Sequence, residues 1–330
     1  MKVAIAGAGV AGSYLHLLLK RRGLMVDLYD TPKKTACTIS PCAWMTASEL
    51  RPLLENVGLS ADQYILKSFK TFEGPGKSGA ADLMTIDKPR LLRDLRTGAM
   101  MRSGEVGLQR YDRVIDATGT SRAYLPPVRD DTITRCVQVK VDCGDREFRI
   151  PSVRIVDGGY AWAFPLGGPM VHIGCCSYTR DPADELRMSM FLKGVEGMTL
   201  CGCTGSVRLM APLYMQPFFS PDGKVWGVGE AIGCVSPLLG EGIAPSMRSA
   251  LLLAHHWDEP AGYVEAVLRE FSPFERLHRV QEKLKQGKKP GFFDLLVLRR
   301  TMMRYGIHLG VGDGMRMLLG LRRSRITDGR

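Results

Sequence analysis

A chain of 330 residues that is 45% hydrophobic and 24% charged can bury a sizeable core, which excludes a disordered tail or linker and sets an expectation of two domains. No apolar run reaches the roughly 18 to 20 residues that cross a bilayer, and MKVAIAGAG runs into a glycine motif rather than a cleavage site, so a cytoplasmic protein is expected. The net charge of +11 is concentrated at one end, because residues 276–330 hold 14 Lys or Arg against four Asp or Glu.

Residues 2–6, KVAIA, read as a short strand, and GAGVAG follows with Gly7, Gly9 and Gly12 in G-x-G-x-x-G spacing. SYLHLLLKRR continues at helical period to Gly23, and MVDLYD is a second strand that ends in Asp30. Strand, glycine loop, helix and a later acidic residue form the context in which backbone N–H groups at a helix N-terminus receive a diphosphate and the carboxylate receives a ribose. The motif alone does not separate NAD from FAD. Further along, YDRVIDATGT (111–120) is a strand that feeds an Ala-Thr-Gly turn at Gly119.

Residues 121–215 alternate in strand-like runs (TRCVQVKVDC, EFRIPSVRIV, YAWAF, MVHIGCC), with one helical stretch at DPADELRMSMFLKGV, which suits an antiparallel substrate domain. Within it, GYAWAFPLGG sets Tyr160, Trp162 and Phe164 on one strand face and Ala161 and Ala163 on the other. Two readings stand side by side: ordinary half-buried core, or the wall of an apolar cavity.

Residues 224–256 read as a strand, a carboxylate bounded by Gly229 (Glu230), a loop and a helix from about Gly242 to Leu253. Residues 257–330 read as helical and basic. That surface fits anionic lipid headgroups, an acidic electron carrier such as a ferredoxin, or a merely solvated face; no nucleic-acid recognition motif accompanies it, and no nucleic-acid partner is expected. Nine cysteines, an odd number, are read as reduced thiols, and neither Cys201-Gly-Cys203 nor Cys175-Cys176 has further ligands nearby, so no metal site is expected.

The segments around Gly7, Gly119 and Glu230 together resemble the three FAD fingerprints of the p-hydroxybenzoate hydroxylase-like flavoprotein superfamily, in their usual order. Within it the chain resembles the geranylgeranyl reductase family, through GYAWAFPLGG, SPCAW (40–44), IDKPRLLRDL (86–95) and GEAIGCVSPLLGEGI. The likeness runs from Met1 to about His256. It implies an α/β fold, with a Rossmann-type FAD domain (1–120 plus 216–256), an inserted antiparallel substrate domain (121–215) and a C-terminal helical region (257–330). It also implies FAD contacts at Ala11, Asp30, Cys42, Ala43, Lys88, Glu230, Gly242 and Ile243, with N–H groups of the helix at Gly242 facing the flavin pyrimidine.

The chain departs from the family pattern. Glu230 replaces an aspartate, Lys88 replaces an arginine whose loss Arg90 is expected to offset, Met45 replaces a glycine, and residues 96–110 are shortened. Cys42 is read either as a catalytic group beside the flavin or as a packing residue. The resemblance implies an FAD-dependent reductase of isoprenoid double bonds, peripherally membrane-associated or free, with an NADPH or ferredoxin-type donor. The alternatives are a flavin monooxygenase of the same fold and an FAD-binding electron-transfer subunit.

Overall fold

The computed structural model describes residues 1–31, 44–74, 77–129, 132–145, 148–189, 191–192, 198–209, 217–286, 288 and 291–308. Its first strand, β1 (Val3–Ala6), is buried throughout, and α1 (Val10–Arg21) follows with Gly9 as its N-cap. Gly7 has φ +102°, and a Cβ there would fall 2.3 Å from Ala117 O; one at Gly12 would fall 1.9 Å from Gly7 O. Only glycine lets loop, helix and neighbouring strand end approach this closely.

The chain continues through β2 (Val26–Asp30), β3 (Met45–Ala47), α2 (Leu50–Glu55), β4 (Ile65–Gly74), β5 (Lys77–Ile86), α3 (Lys88–Leu95), β6 (Met100–Ser103) and β7 (Arg113–Asp116). After β7 come β8 (Thr132–Asp142), β9 (Ser152–Val156), β10 (Gly159–Gly167), β11 (Met170–Ser177), α4 (Pro182–Met188) and β12 (Thr199–Leu209). The last elements are β13 (Val225–Gly227), α5 (Ile243–His255), α6 (Pro260–Glu270), α7 (Ser272–Lys285), α8 (Phe292–Arg304) and β14 (Ile307–His308).

Five strands make a parallel sheet in the order β13-β7-β1-β2-β6. The shortened 96–110 stretch still supplies an edge strand, β6, whose four residues are all exposed. In the second sheet β12-β8-β11-β10-β9-β4-β5-β14 run side by side, with β3 beside β5. All its pairings are antiparallel except β4 with β9, which meet in parallel at Glu73 and Ser152. Sheet membership therefore cuts across the expected division at residue 120, because β3, β4 and β5 join the inserted strands.

The C-terminal region is helical as far as α8, but it ends its described part as a strand. Gly306 turns the chain with φ +72°, Asp82 N–H donates to Gly306 O at 2.6 Å, and Ile307 pairs with Ala81 of β5. A Cβ at Gly306 would sit 2.3 Å from Asp82 O, so this docking requires glycine.

The larger core spans both sheets, while a smaller one lies between the second sheet and α4. Ala161 and Ala163 belong to the smaller core, with Leu186 of α4, Phe191 and Leu192. Their small side chains let this layer approach the strand, which explains why that face of β10 is nearly bare.

Candidate functional site

A cavity of about 1100 Å³ opens between the C-terminal ends of β1, β2 and β7 and one face of the second sheet. Gly7, Gly9, Ala11, Asp30, Lys88, Gly119, Glu230, Gly242 and Ile243 line it together with Tyr160, Trp162 and Phe164. A Cβ placed on Gly9 meets nothing within 4 Å, so the loop presents open backbone to the cavity where a diphosphate would approach the start of α1.

Asp30 faces a partner that sequence reasoning missed. Arg96, at the C-cap of α3, sets Nη2 3.5 Å from Asp30 Oδ2, donates to Ser13 Oγ at 3.2 Å and also donates to Ala8 O. The guanidinium thus stands beside both the glycine loop and the ribose-type carboxylate. Lys88, at the first turn of the same helix, is buried and lines the cavity.

Glu230 is held from two sides. Its Oε1 accepts from Thr120 Oγ1 at 2.8 Å and from Arg208 N–H at 2.7 Å, while the Arg208 guanidinium donates to Thr120 O at 2.9 and 2.6 Å. Burial pushes its carboxyl above the usual range, opposed by the Arg208 N–H and the Thr120 hydroxyl. Gly119, with φ +64°, leaves room for this carboxylate: a Cβ there would lie 3.3 Å from Glu230 Oε2.

The start of α5 differs from expectation. Ile243 N–H and Ala244 N–H donate to Glu241 Oε1 at 3.0 and 3.3 Å, and Thr46 Oγ1 donates to the same oxygen at 3.4 Å. The helix N-terminus is therefore occupied by the carboxyl of its own preceding turn, not open toward the cavity. Glu241 Oε2 is buried and has no hydrogen-bond partner among the described residues. Burial, reinforced by the nearby Glu49, pushes this carboxyl up to about 8.

The aromatic wall is continuous. Tyr160 and Trp162 have ring centroids 5.6 Å apart, and Trp162 and Phe164 stack at 6.1 Å with 23° between planes. The polar atoms are satisfied: Tyr160 Oη donates to Leu239 O at 2.5 Å, and Trp162 Nε1 donates to Gln138 Oε1 at 3.3 Å. Beside the wall His172, the register partner of Phe164, packs edge-on against Trp44 at 4.5 Å, and burial holds its imidazole down at about 3, so the ring is neutral.

Other expected residues lie elsewhere. Arg90 is exposed; its guanidinium donates to Gln63 O at 2.9 Å and lies over the Tyr64 ring, so it does not reach the cavity to offset Lys88. Gly12 and Gly229 lie behind the lining, where a Cβ on Gly229 would meet Ala11 Cβ at 2.7 Å; their task is close packing of loop, helix and strand end. Cys42 and Ala43 fall outside the described residues.

No protein-family model matches the chain. An uncharacterized protein of Methanocaldococcus jannaschii is 26% identical over 304 residues, which span 77% of this chain and 82% of that protein. Digeranylgeranylglycerophospholipid reductase 1 of Methanopyrus kandleri is 23% identical over 335 residues, spanning 88% and 87%. Among solved structures, a geranylgeranyl bacteriochlorophyll reductase-like protein from Thermoplasma acidophilum superposes with a TM-score of 0.69, covering 99% of this chain and 96% of that one at 17% identity. The fold is the FAD-binding, geranylgeranyl reductase-like one. Flavin-dependent halogenases also have this geranylgeranyl reductase-like fold, so the architecture by itself leaves the reaction open.

Proposed function

We propose that this chain is an FAD-dependent oxidoreductase that saturates double bonds of an isoprenoid chain. The observation that carries the reading is the continuity of one cavity from the glycine loop and Asp30 at one end to an unbroken aromatic wall at the other. A dinucleotide and an elongated apolar chain would share such a space.

The residues present fit the cofactor. Gly9 and Ala11 would receive the diphosphate at the start of α1, with Gly7 letting the loop turn beside Ala117, Arg96 and Lys88 would balance its charge, and Asp30 would accept from ribose hydroxyls. Gly119 and Glu230, which line the cavity, would hold the linking polyol, and Gly242 and Ile243 would border the ring system. Bound FAD supplies a reversible two-electron, hydride-transferring centre.

The protein's own part is alignment, exclusion of water and proton supply. Tyr160, Trp162 and Phe164 seat the prenyl chain by apolar contact, and their π-faces stabilise cationic character at the alkene carbon next to the one that takes up a proton. Cys42 is the candidate catalytic group on the family resemblance alone. A Cys42→Ala protein that keeps its flavin and loses turnover supports that role, and unchanged turnover removes it.

The test uses the purified full chain loaded with FAD, reduced with dithionite under anaerobic conditions and mixed with a geranylgeranyl lipid. Products heavier by two hydrogens per double bond support the reading. Stoichiometric FAD with unchanged lipid rejects the substrate class, hydroxylation in a parallel reaction to which oxygen is admitted points instead to a monooxygenase, and failure to take up FAD rejects the flavoenzyme. NADPH and a reduced ferredoxin in place of dithionite identify the donor.

For a lipid substrate, a peripheral contact with anionic membrane is part of the same proposal. Among the described residues no helix is long and apolar enough to cross a membrane. At the N-terminus of α8, Phe292 and Phe293 are exposed, close in the chain to the exposed Lys288. Salt-sensitive binding to anionic liposomes is the expected result; no binding at low salt rejects it.

A further inference from the structure

Two of the free cysteines face each other across the strands of the cavity wall. Cys136 of β8 and Cys176 of β11 are register partners, both line the cavity, and Cys176 packs in one cluster with Trp162 and Phe164. Their geometry follows from a neighbouring bond. Cys143 N–H donates to Pro169 O at 3.0 Å, one step beyond the Asp142–Met170 pair in the same unbroken register. Hydrogen-bonded and non-hydrogen-bonded pairs alternate along an antiparallel ladder, and Cys136 is an odd number of steps from Cys143. Cys136 and Cys176 therefore form a non-hydrogen-bonded pair. Such pairs hold their Cα atoms about 4.5 Å apart with the side chains close, within the roughly 4.4–6.8 Å that a disulfide bridges.

We propose that Cys136 and Cys176 are a redox-active thiol pair that reduces a hydroperoxide by closing to a disulfide in the cavity wall. Cys176 is only 8% exposed, so it is reached through the cavity and by a small oxidant. Each thiol also has a backbone acceptor: Cys176 Sγ donates to Tyr160 O at 3.7 Å and Cys136 Sγ to Thr134 O at 3.9 Å. The adjacent Cys176 thiol, with burial, pushes Cys136 above the usual thiol range, whereas the adjacent Cys136 thiol holds Cys176 below it, so Cys176 is the attacking sulfur. Cys175 is the wrong partner: it lies in the core against α4 with Leu186 and Ile173, and burial pushes it up to about 12.

The chemistry balances with hydrogen peroxide as the oxidant. The Cys176 sulfur attacks one peroxide oxygen, the O–O bond breaks, and hydroxide leaves and takes up a proton as water, leaving a sulfenic acid. The Cys136 sulfur then attacks the Cys176 sulfur, the S–S bond forms, the S–O bond breaks, and the Cys136 proton leaves with the oxygen as a second water. The two sulfurs together lose two electrons, and both peroxide oxygens end in water. No step passes through the flavin, so this site stands or falls apart from the reductase reading.

The test treats the full-length protein, with and without added FAD, with equimolar hydrogen peroxide, then alkylates and digests it with trypsin. The expected product is the 136–140 peptide disulfide-linked to the 155–180 peptide, lighter by two hydrogens and released by dithiothreitol. Cys136→Ser is expected to leave a sulfenic acid on Cys176 that dimedone captures, and Cys176→Ser to slow peroxide consumption about tenfold or more. Cys175→Ser is expected to keep the link. Full alkylation of both residues after peroxide, or a link lost in Cys175→Ser but retained in Cys176→Ser, would overturn the proposal. The peptide link in the unsubstituted chain decides the matter even if a variant fails to fold.

Discussion

The indole of Trp162 occupies the space that a side chain on Gly174, its partner across β10 and β11, would need: a Cβ there would fall 2.2 Å from Trp162 Cζ2. Gly174→Ala must displace the ring or spread the strands, at a cost of about 1–3 kcal/mol as for other overpacked sites. Urea unfolding reads the cost and near-UV circular dichroism reads the displaced indole. In a Trp162→Ala background the same substitution is expected to cost less, because the clash with the ring is gone and only the 2.8 Å approach to Val137 O remains. Equal costs in both backgrounds would reject this account of the wall.

Shortening Trp162 itself separates the two ends of the cavity. Its ring stacks on Phe164 and neighbours Tyr160, whereas the glycine loop and Asp30 lie at the other end. Trp162→Ala is expected to leave FAD content unchanged and to raise KM for a prenyl lipid about tenfold, from loss of an aromatic contact worth about 1.5 kcal/mol. Loss of FAD with unchanged KM would place the ring on the cofactor instead.

Asp30 and Arg96 make the opposite prediction. Asp30→Ala removes an acceptor of charge-assisted hydrogen bonds, each worth about 1.5–3 kcal/mol, and is expected to weaken FAD roughly 10- to 100-fold in a fluorescence titration. Arg96→Gln keeps a donor near Ala8 O but removes the positive charge, so its loss of affinity is expected to grow as salt is lowered. A salt-independent loss would assign Arg96 to shaping the loop alone.

These contrasts show what was legible in the chain. Gly7, Gly9 and Asp30 could be read because strand, loop, helix and carboxylate follow one another within 30 residues, and local period reveals such units. The aromatic face of β10 was legible for the same reason, since strand period is local. Arg96 was not, because it reaches Ala8 only after α3 packs back across the glycine loop. The support of Glu230 joins Thr120, 110 residues away, to the backbone of Arg208, and no spacing rule reports a bond over that distance. The sheet that β4 and β5 share with the strands after residue 120 was not legible either, because they choose their partners by tertiary packing and not by their place in the chain.

Glu241 gives the clearest pH dependence. Its carboxyl, buried beside Glu49, is pushed from an ordinary value of 4.5 up to about 8 in the folded protein. Between those values the unfolded chain loses this proton while the folded protein keeps it, so folding binds a proton and stability falls as pH rises. The stabilisation is fully present below pH 4.5 and is lost as pH climbs through about 8. The slope from this one group is at most about 1.4 kcal/mol per pH unit. Glu241→Gln keeps an oxygen for Ile243 N–H and Ala244 N–H and cannot ionise. It is therefore expected to flatten the stability curve, with the gain over the parent protein greatest near pH 8 and smallest near pH 5 in urea titrations. Parallel curves for the two proteins would show that Glu241 is ionised in the folded state and that its second oxygen has found a donor.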